Sequence, residues 1–210
     1  LRRQRQMCIR DRAEMMNLGG DERIYPASMT KIMTALLTIE NLPDLNETIT
    51  VPEDIFEELT AQDASVAGFN PYEQPTVRDL LYGVLLPSGA DACETLARAV
   101  GGSEEGFVAM MNQKAEELGL TNTHFENCTG LHNDNHYSTC RDIAVLMSEC
   151  LKSDTFREIV TREVYTTEAT ASHPEGITLY DTMLHRFTSY EMSTTLENLS
   201  LIHISEPTRP

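Results

Sequence analysis

Apolar residues recur at helical spacing along most of the chain, and turn residues punctuate them. The run Ile32, Met33, Leu36 and Leu37, followed by Glu40 and Asn41, predicts a helix with one core-facing stripe. Pro52-Glu53-Asp54 opens a second, acidic helix, because proline and carboxylates suit a first turn. Val77 to Leu86 is apolar at helical spacing and stops at Pro87, delivering Ser88-Gly89-Ala90 into a turn; Asp91 then begins a helix ending at Gly101-Gly102. Ser103 caps the next, with Phe107, Met110, Met111 and Leu118 as its buried positions and Gly119 as its stop. Thr139 and Asp142 form a capping pair before a helix over Ile143 to Leu151. Strand character is confined to Thr48–Val51, Glu163–Thr170 and Gly176–Thr182, where β-branched and aromatic residues gather. Helix dominates, and no internal repeat is present.

Within the first helix, Ser28 and Lys31 stand three residues apart in Pro26-Ala27-Ser28-Met29-Thr30-Lys31. Positions i and i+3 share a helix face, so the lysine amine can reach the serine hydroxyl without long-range folding. A hydroxyl is a weak nucleophile until a neighbouring base takes its proton, and an unperturbed lysine is a poor base near neutral pH. The pair therefore suits acyl transfer only where the fold buries the amine. The plainer reading is a serine N-cap followed by a solvated lysine. The apolar stripe directly after the pair favours burial of this turn.

With 16 basic and 33 acidic side chains the formal charge is −17. Residues 1–12 hold five Arg and one Asp, so the rest carries 11 basic against 32 acidic side chains, or −21. Such a surface repels phosphates, and nucleic acid is excluded as a partner. No apolar run approaches the roughly 18 residues of a membrane span, and no signal peptide or membrane anchor is read in the chain. The segments 1–12 (LRRQRQMCIRDR) and 200–210 are unlike the body and resemble translated sequencing adapter, so a partial catalytic domain is expected over 13–199. The five cysteines are odd in number with no close pair, which argues against a disulfide framework. Cys128, His132, His136 and Cys140 recur every four residues, yet Gly130 and Asn133-Asp134-Asn135 make this stretch a loop, unlike the close ligand pairs of zinc sites. No metal or cofactor is expected. The ten methionines lie at helical spacing and read as core.

Sixty residues beyond Ser28, Leu85-Leu86-Pro87-Ser88-Gly89-Ala90-Asp91-Ala92 sets a second serine in a glycine turn between helices. In this order the two motifs resemble the Ser-x-x-Lys and Ser-x-Asn elements of penicillin-binding proteins and serine β-lactamases. Leu118-Gly119-Leu120, Thr123, Phe125, Asn127, Gly130-Leu131, His136-Tyr137-Ser138-Thr139 and Gly176 to Tyr180 extend the likeness to the low-molecular-mass D-alanyl-D-alanine carboxypeptidases, the S11 serine peptidases. The resemblance implies an α+β, β-lactamase/transpeptidase-like fold: a helical region plus an antiparallel sheet that is incomplete in this chain. It implies Ser28 as nucleophile, Lys31 as acylation base and Ser88 as proton relay. The implied partner is a peptidoglycan stem peptide ending in D-Ala-D-Ala, with β-lactams as covalent inhibitors of the same serine, at an extracytoplasmic location. His136 is the most suggestive of the six histidines as another base, but the family likeness makes its segment structural.

The departures are specific. Ala90 stands where the family has asparagine, and the three lysines, Lys31, Lys114 and Lys152, precede no Thr-Gly, so the Lys-Thr-Gly strand of the family is not found. The strands expected before the Ser28 helix are likewise not read. The parent protein is expected to be an enzyme, with this chain inactive as a fragment. The other readings are a β-lactamase or D,D-endopeptidase of the same fold, or a non-catalytic cell-wall binding protein.

Overall fold

The computed structural model describes residues 5–8 and 14–182. Residues 183–210, including the segment 200–210 read as foreign, lie outside the described residues. Strands β1 (Arg5–Cys8) and β2 (Glu14–Leu18) pair antiparallel ahead of the Ser28 segment, so strands do precede it, contrary to the sequence expectation. Neither RQMC nor EMMNL alternates polar and apolar residues, so neither shows the period of a strand, and β1 falls within the segment 1–12 read as foreign. β3 (Arg23–Ile24) follows and pairs with β4 (Ser138–Thr139), joining two segments more than a hundred residues apart in sequence.

A 3₁₀ turn, Ala27–Thr30, leads into α1 (Lys31–Asn41). Then come α2 (Ile55–Ala61), α3 (Val77–Leu85), α4 (Ala90–Gly101), α5 (Glu104–Glu117), α6 (Cys140–Cys150) and α7 (Asp154–Val160). α1 is the central helix, packed against α3, α4, α5, α6 and α7. Its buried Met33, Leu36 and Leu37 meet Leu80 and Leu81 of α3, Cys93 and Leu96 of α4, Phe107 and Met111 of α5 and Phe156 of α7 in one apolar cluster. The expected stripe of the Ser28 helix is therefore its core face.

Side-chain caps begin α5 and α6 where the residue pattern predicts them. Ser103 accepts from the Gly106 N–H, and Thr139 from the Asp142 N–H. Asp142 does not close the second half of a capping box; it accepts instead from the Asn122 N–H and the Thr123 hydroxyl, tying α6 to the preceding loop. Two local features went unread: the Thr76–Asp79 capping box of α3, and α7, capped by Ser153.

Thr48–Val51 does not form a strand. Ile49 N–H and Val51 N–H donate to the Pro75 and Glu73 carbonyls, but Thr48 makes a lone bridge with Thr76, because Pro75 has no N–H to continue the ladder. The C-terminal strands are shorter than expected: β5 (Val164–Thr166) pairs antiparallel with β6 (Thr178–Tyr180). Just past this pair the Thr167 hydroxyl, rather than a backbone carbonyl, takes the Ile177 N–H. Tyr165 stacks on Tyr82 with ring centroids 3.7 Å apart and donates to Asp79, which docks the hairpin on α3.

Candidate active site

Ser28 lies on the 3₁₀ turn and is exposed, while Lys31, at the first position of α1, is only 6% exposed. Side chains at i and i+3 eclipse one another in 3₁₀ geometry, so the turn holds both residues on one edge more strictly than an α-helix would. Neither this turn nor α1 has a side-chain cap, so the helix-capping reading of Ser28 does not hold.

A loop from far along the chain closes over the same turn. Lys31 Nζ donates to the Thr129 carbonyl at 2.6 Å, and the Thr34 hydroxyl donates to the Cys128 carbonyl at 2.6 Å. Gly130, at φ +84°, approaches so closely that a Cβ there would overlap the Ala27 carbonyl oxygen. Ala27 itself sits at φ +49°, a left-handed conformation disfavoured for a residue with a Cβ and held here by its surroundings. The Asn127 side chain folds the loop by accepting from the Thr129 and Gly130 N–H groups.

His136 completes the clamp from below. Its Nδ1 accepts from the Glu126 N–H at 3.2 Å, which leaves Nε2–H to donate to the Thr30 hydroxyl at 2.7 Å. Burial pushes its pKa down to about 4, so at neutral pH the ring is uncharged and serves as a fixed strut. The structural role expected of His136 is the geometry observed.

Ser88 occupies the turn between α3 and α4 at φ +63°, and its hydroxyl is buried with no hydrogen-bond partner. Lys31 lies near the start of α4, close enough for its charge to oppose the burial that raises the Cys93 thiol to about 12. Among the described residues no hydrogen bond joins Ser28, Lys31 and Ser88 to one another; the lysine amine is held by the Thr129 carbonyl instead. Ala90 is buried at the first position of α4 and offers only its backbone N–H, which donates to the Ser65 carbonyl at 2.7 Å.

The period-of-four pattern at Cys128, His132, His136 and Cys140 does not converge. Cys128 is buried behind the loop, His136 braces Thr30, His132 is exposed beside Asp134, and Cys140 begins α6. Glu94, Glu104 and Cys128 are the residues whose ligand-type atoms do gather, within 4.8 Å of one another. They satisfy each other: the Cys128 thiol donates to Glu94, and burial beside Glu104 raises the Glu94 carboxyl to about 7. A cavity of about 220 Å³ adjoins them, lined also by Arg98, Asn127 and Thr129. A second, of about 70 Å³, lies between Pro26-Ala27 and Gly130-Leu131.

The sequence alone does not bring Thr34, Thr129 or the Gly130–Ala27 contact to the Ser28 turn. Asn127 and Gly130 are the visible signals, as residues of the family likeness in a polar loop.

Residues 15–186 match the D-alanyl-D-alanine carboxypeptidase family, peptidase S11. The chain is 40% identical over 157 residues to the D-alanyl-D-alanine carboxypeptidase DacF of Bacillus subtilis, covering 74% of this chain and 40% of that protein. It is 41% identical over 134 residues to DacC of Escherichia coli, covering 61% of this chain and 34% of the relative. Among solved structures, the Streptomyces K15 DD-transpeptidase superposes with a TM-score of 0.78 at 32% identity, over 89% of this chain and 74% of that one. The chain thus spans less than half the length of these two curated relatives.

Proposed function

This chain belongs to the D-alanyl-D-alanine carboxypeptidase family, peptidase S11, and from that membership we propose that its parent protein is a serine D-Ala-D-Ala carboxypeptidase of peptidoglycan stem peptides. In this reading Ser28 Oγ attacks the carbonyl carbon between the two terminal D-alanines, and Lys31 takes the hydroxyl proton. The C–N bond breaks, the proton passes through Ser88 to the departing amine, and D-alanine leaves. Water then hydrolyses the Ser28 ester, so one peptide and one water become a shortened peptide and D-alanine. The observation that carries the reading is an exposed serine one 3₁₀ turn from a lysine that is only 6% exposed and whose amine is held by a backbone carbonyl. The partnerless Ser88 hydroxyl supports its role as relay, since no existing bond must break before it takes a proton. β-Lactams, as mimics of the substrate, are expected to acylate Ser28, and the site of action is extracytoplasmic.

Labelling with a fluorescent penicillin tests this. The full-length protein is expected to form a covalent adduct at Ser28, and Ser28→Ala to abolish it; an adduct that persists in the variant shows that Ser28 is not the nucleophile. No Lys-Thr-Gly occurs in the 210 residues, so their labelling is expected to be slower by about a hundredfold to a thousandfold, the usual cost of one missing oxyanion donor. The likeness to the K15 DD-transpeptidase favours a second reading, in which an amine rather than water takes the acyl group. Supplying an acceptor amine with the peptide substrate and measuring transfer against hydrolysis separates the two.

A further inference from the structure

We propose that Asp91 is a positioning residue that holds Ser88 in its turn by locking the segment Ser65–Phe69 against it; this rests on the reading of Ser88 as part of the acylation site. Asp91 lies in the first turn of α4, three residues after Ser88, and is 0% exposed. Among the described residues no lysine or arginine hydrogen-bonds to it. Its carboxylate instead accepts three consecutive backbone N–H groups: Oδ1 from Ala67 at 2.7 Å, and Oδ2 from Gly68 at 3.0 Å and Phe69 at 3.1 Å. Consecutive N–H groups converging on an anion form a nest, and the α4 N-terminus favours the same negative charge.

No helix or strand lies between α2 and α3, so the path of this segment is set from outside it. Asp91 is one of its anchors, and the Ser88 turn is the other. The Ala90 N–H donates to the Ser65 carbonyl at 2.7 Å, and the Gly89 N–H to the Gly83 carbonyl at 2.8 Å. A Cβ on Gly89 would lie 2.7 Å from the Ala67 nitrogen and 2.7 Å from Asp91 Oδ1, so the two backbones are in contact with no space between them. Ser88 itself is left-handed at φ +63°, a conformation that persists only where the surroundings enforce it. Because its buried hydroxyl has no hydrogen-bond partner, backbone and packing aim that hydroxyl, and the nest braces the backbone.

The test is a double-mutant cycle on the second-order rate of penicillin acylation in the full-length protein. Asp91→Asn keeps the shape but turns one acceptor oxygen into a donor facing an N–H. It is expected to slow acylation by about tenfold to a hundredfold, the range for a displaced reacting group. In a Ser88→Ala background the same substitution is expected to cause no further loss, since its effect runs through Ser88. Gly89→Ala wedges the same two backbones apart by crowding Ala67 and the Asp91 carboxylate while leaving both acceptor oxygens in place, and is expected to show the same non-additivity; it carries the test if Asp91→Asn does not fold. An unchanged rate in Asp91→Asn, or losses that multiply in the double variants, overturns the proposal. So does fast hydrogen exchange at the Ala67, Gly68 and Phe69 amides of the wild-type 210-residue chain, where slow exchange is expected. Absence of Ser28 labelling in the wild-type full-length protein would overturn the acylation reading instead, and the exchange measurement would still test the nest.

Discussion

Gly130→Ala isolates the contact that presses the distal loop onto the Ser28 turn. Two effects add. At φ +84° an alanine pays the left-handed strain of about 1–2 kcal/mol, and its Cβ overlaps the Ala27 carbonyl oxygen, an overpacking defect of about 1–3 kcal/mol. The sum, about 2–5 kcal/mol, corresponds to a melting temperature lower by roughly 4–20 °C for a domain of this size. Gly119 provides an internal control, because it has a similar φ of +73° but nothing within 4 Å of an added Cβ. Gly119→Ala should therefore show the strain alone, about 1–2 kcal/mol. Thermal unfolding of the 210-residue chain followed by circular dichroism reads both. The overlap also pushes Thr129 away from Lys31, so the Gly130 variant, unlike the Gly119 one, should acylate more slowly in the full-length protein. Equal melting temperatures for the two variants would refute the reasoning, since an added Cβ meets Ala27 and the Thr30 hydroxyl at Gly130 and nothing at Gly119.

Two further predictions concern pH. His136 is held at about 4 by burial while the unfolded ring titrates near 6.5, so between these values the unfolded chain binds a proton that the native one does not. Stability is complete above about 6.5 and falls by up to about 3 kcal/mol as pH drops to 4. Urea unfolding across that window should show a shallower pH slope for His136→Gln than for the wild type, and identical slopes would remove His136 as the cause. Glu94 has the opposite sign: its folded pKa is raised to about 7, so the stability it contributes is complete below 4.5 and lost as pH rises through 7. Glu94→Gln, which cannot ionise, should be more stable than the wild type at pH 8, and a less stable variant there would contradict the proton-bearing carboxyl.

Local signals in the residue order account for much of what is observed. Ser103 and Thr139 cap helices because a side-chain oxygen needs only an N–H three residues away, and Gly119 ends α5 because its left-handed φ is a local property. The spacing of Ser28 and Lys31 likewise fixes their shared edge within a single turn. What the order of residues could not disclose is how that turn is held. The Thr129 carbonyl that receives Lys31 lies 98 residues away, and the His136 ring that braces Thr30 lies 106 away. Asp91 reads as an ordinary first-turn carboxylate, and only packing brings Ala67, Gly68 and Phe69 to it. A backbone carbonyl or N–H carries no residue identity, so a site completed by such groups leaves no pattern in the sequence. The pairing of Ser28 with Lys31, the proposed nucleophile and base, was therefore decided by neighbours along the chain, and its burial, bracing and hydrogen bonding by tertiary contacts that form only when the distant loop closes.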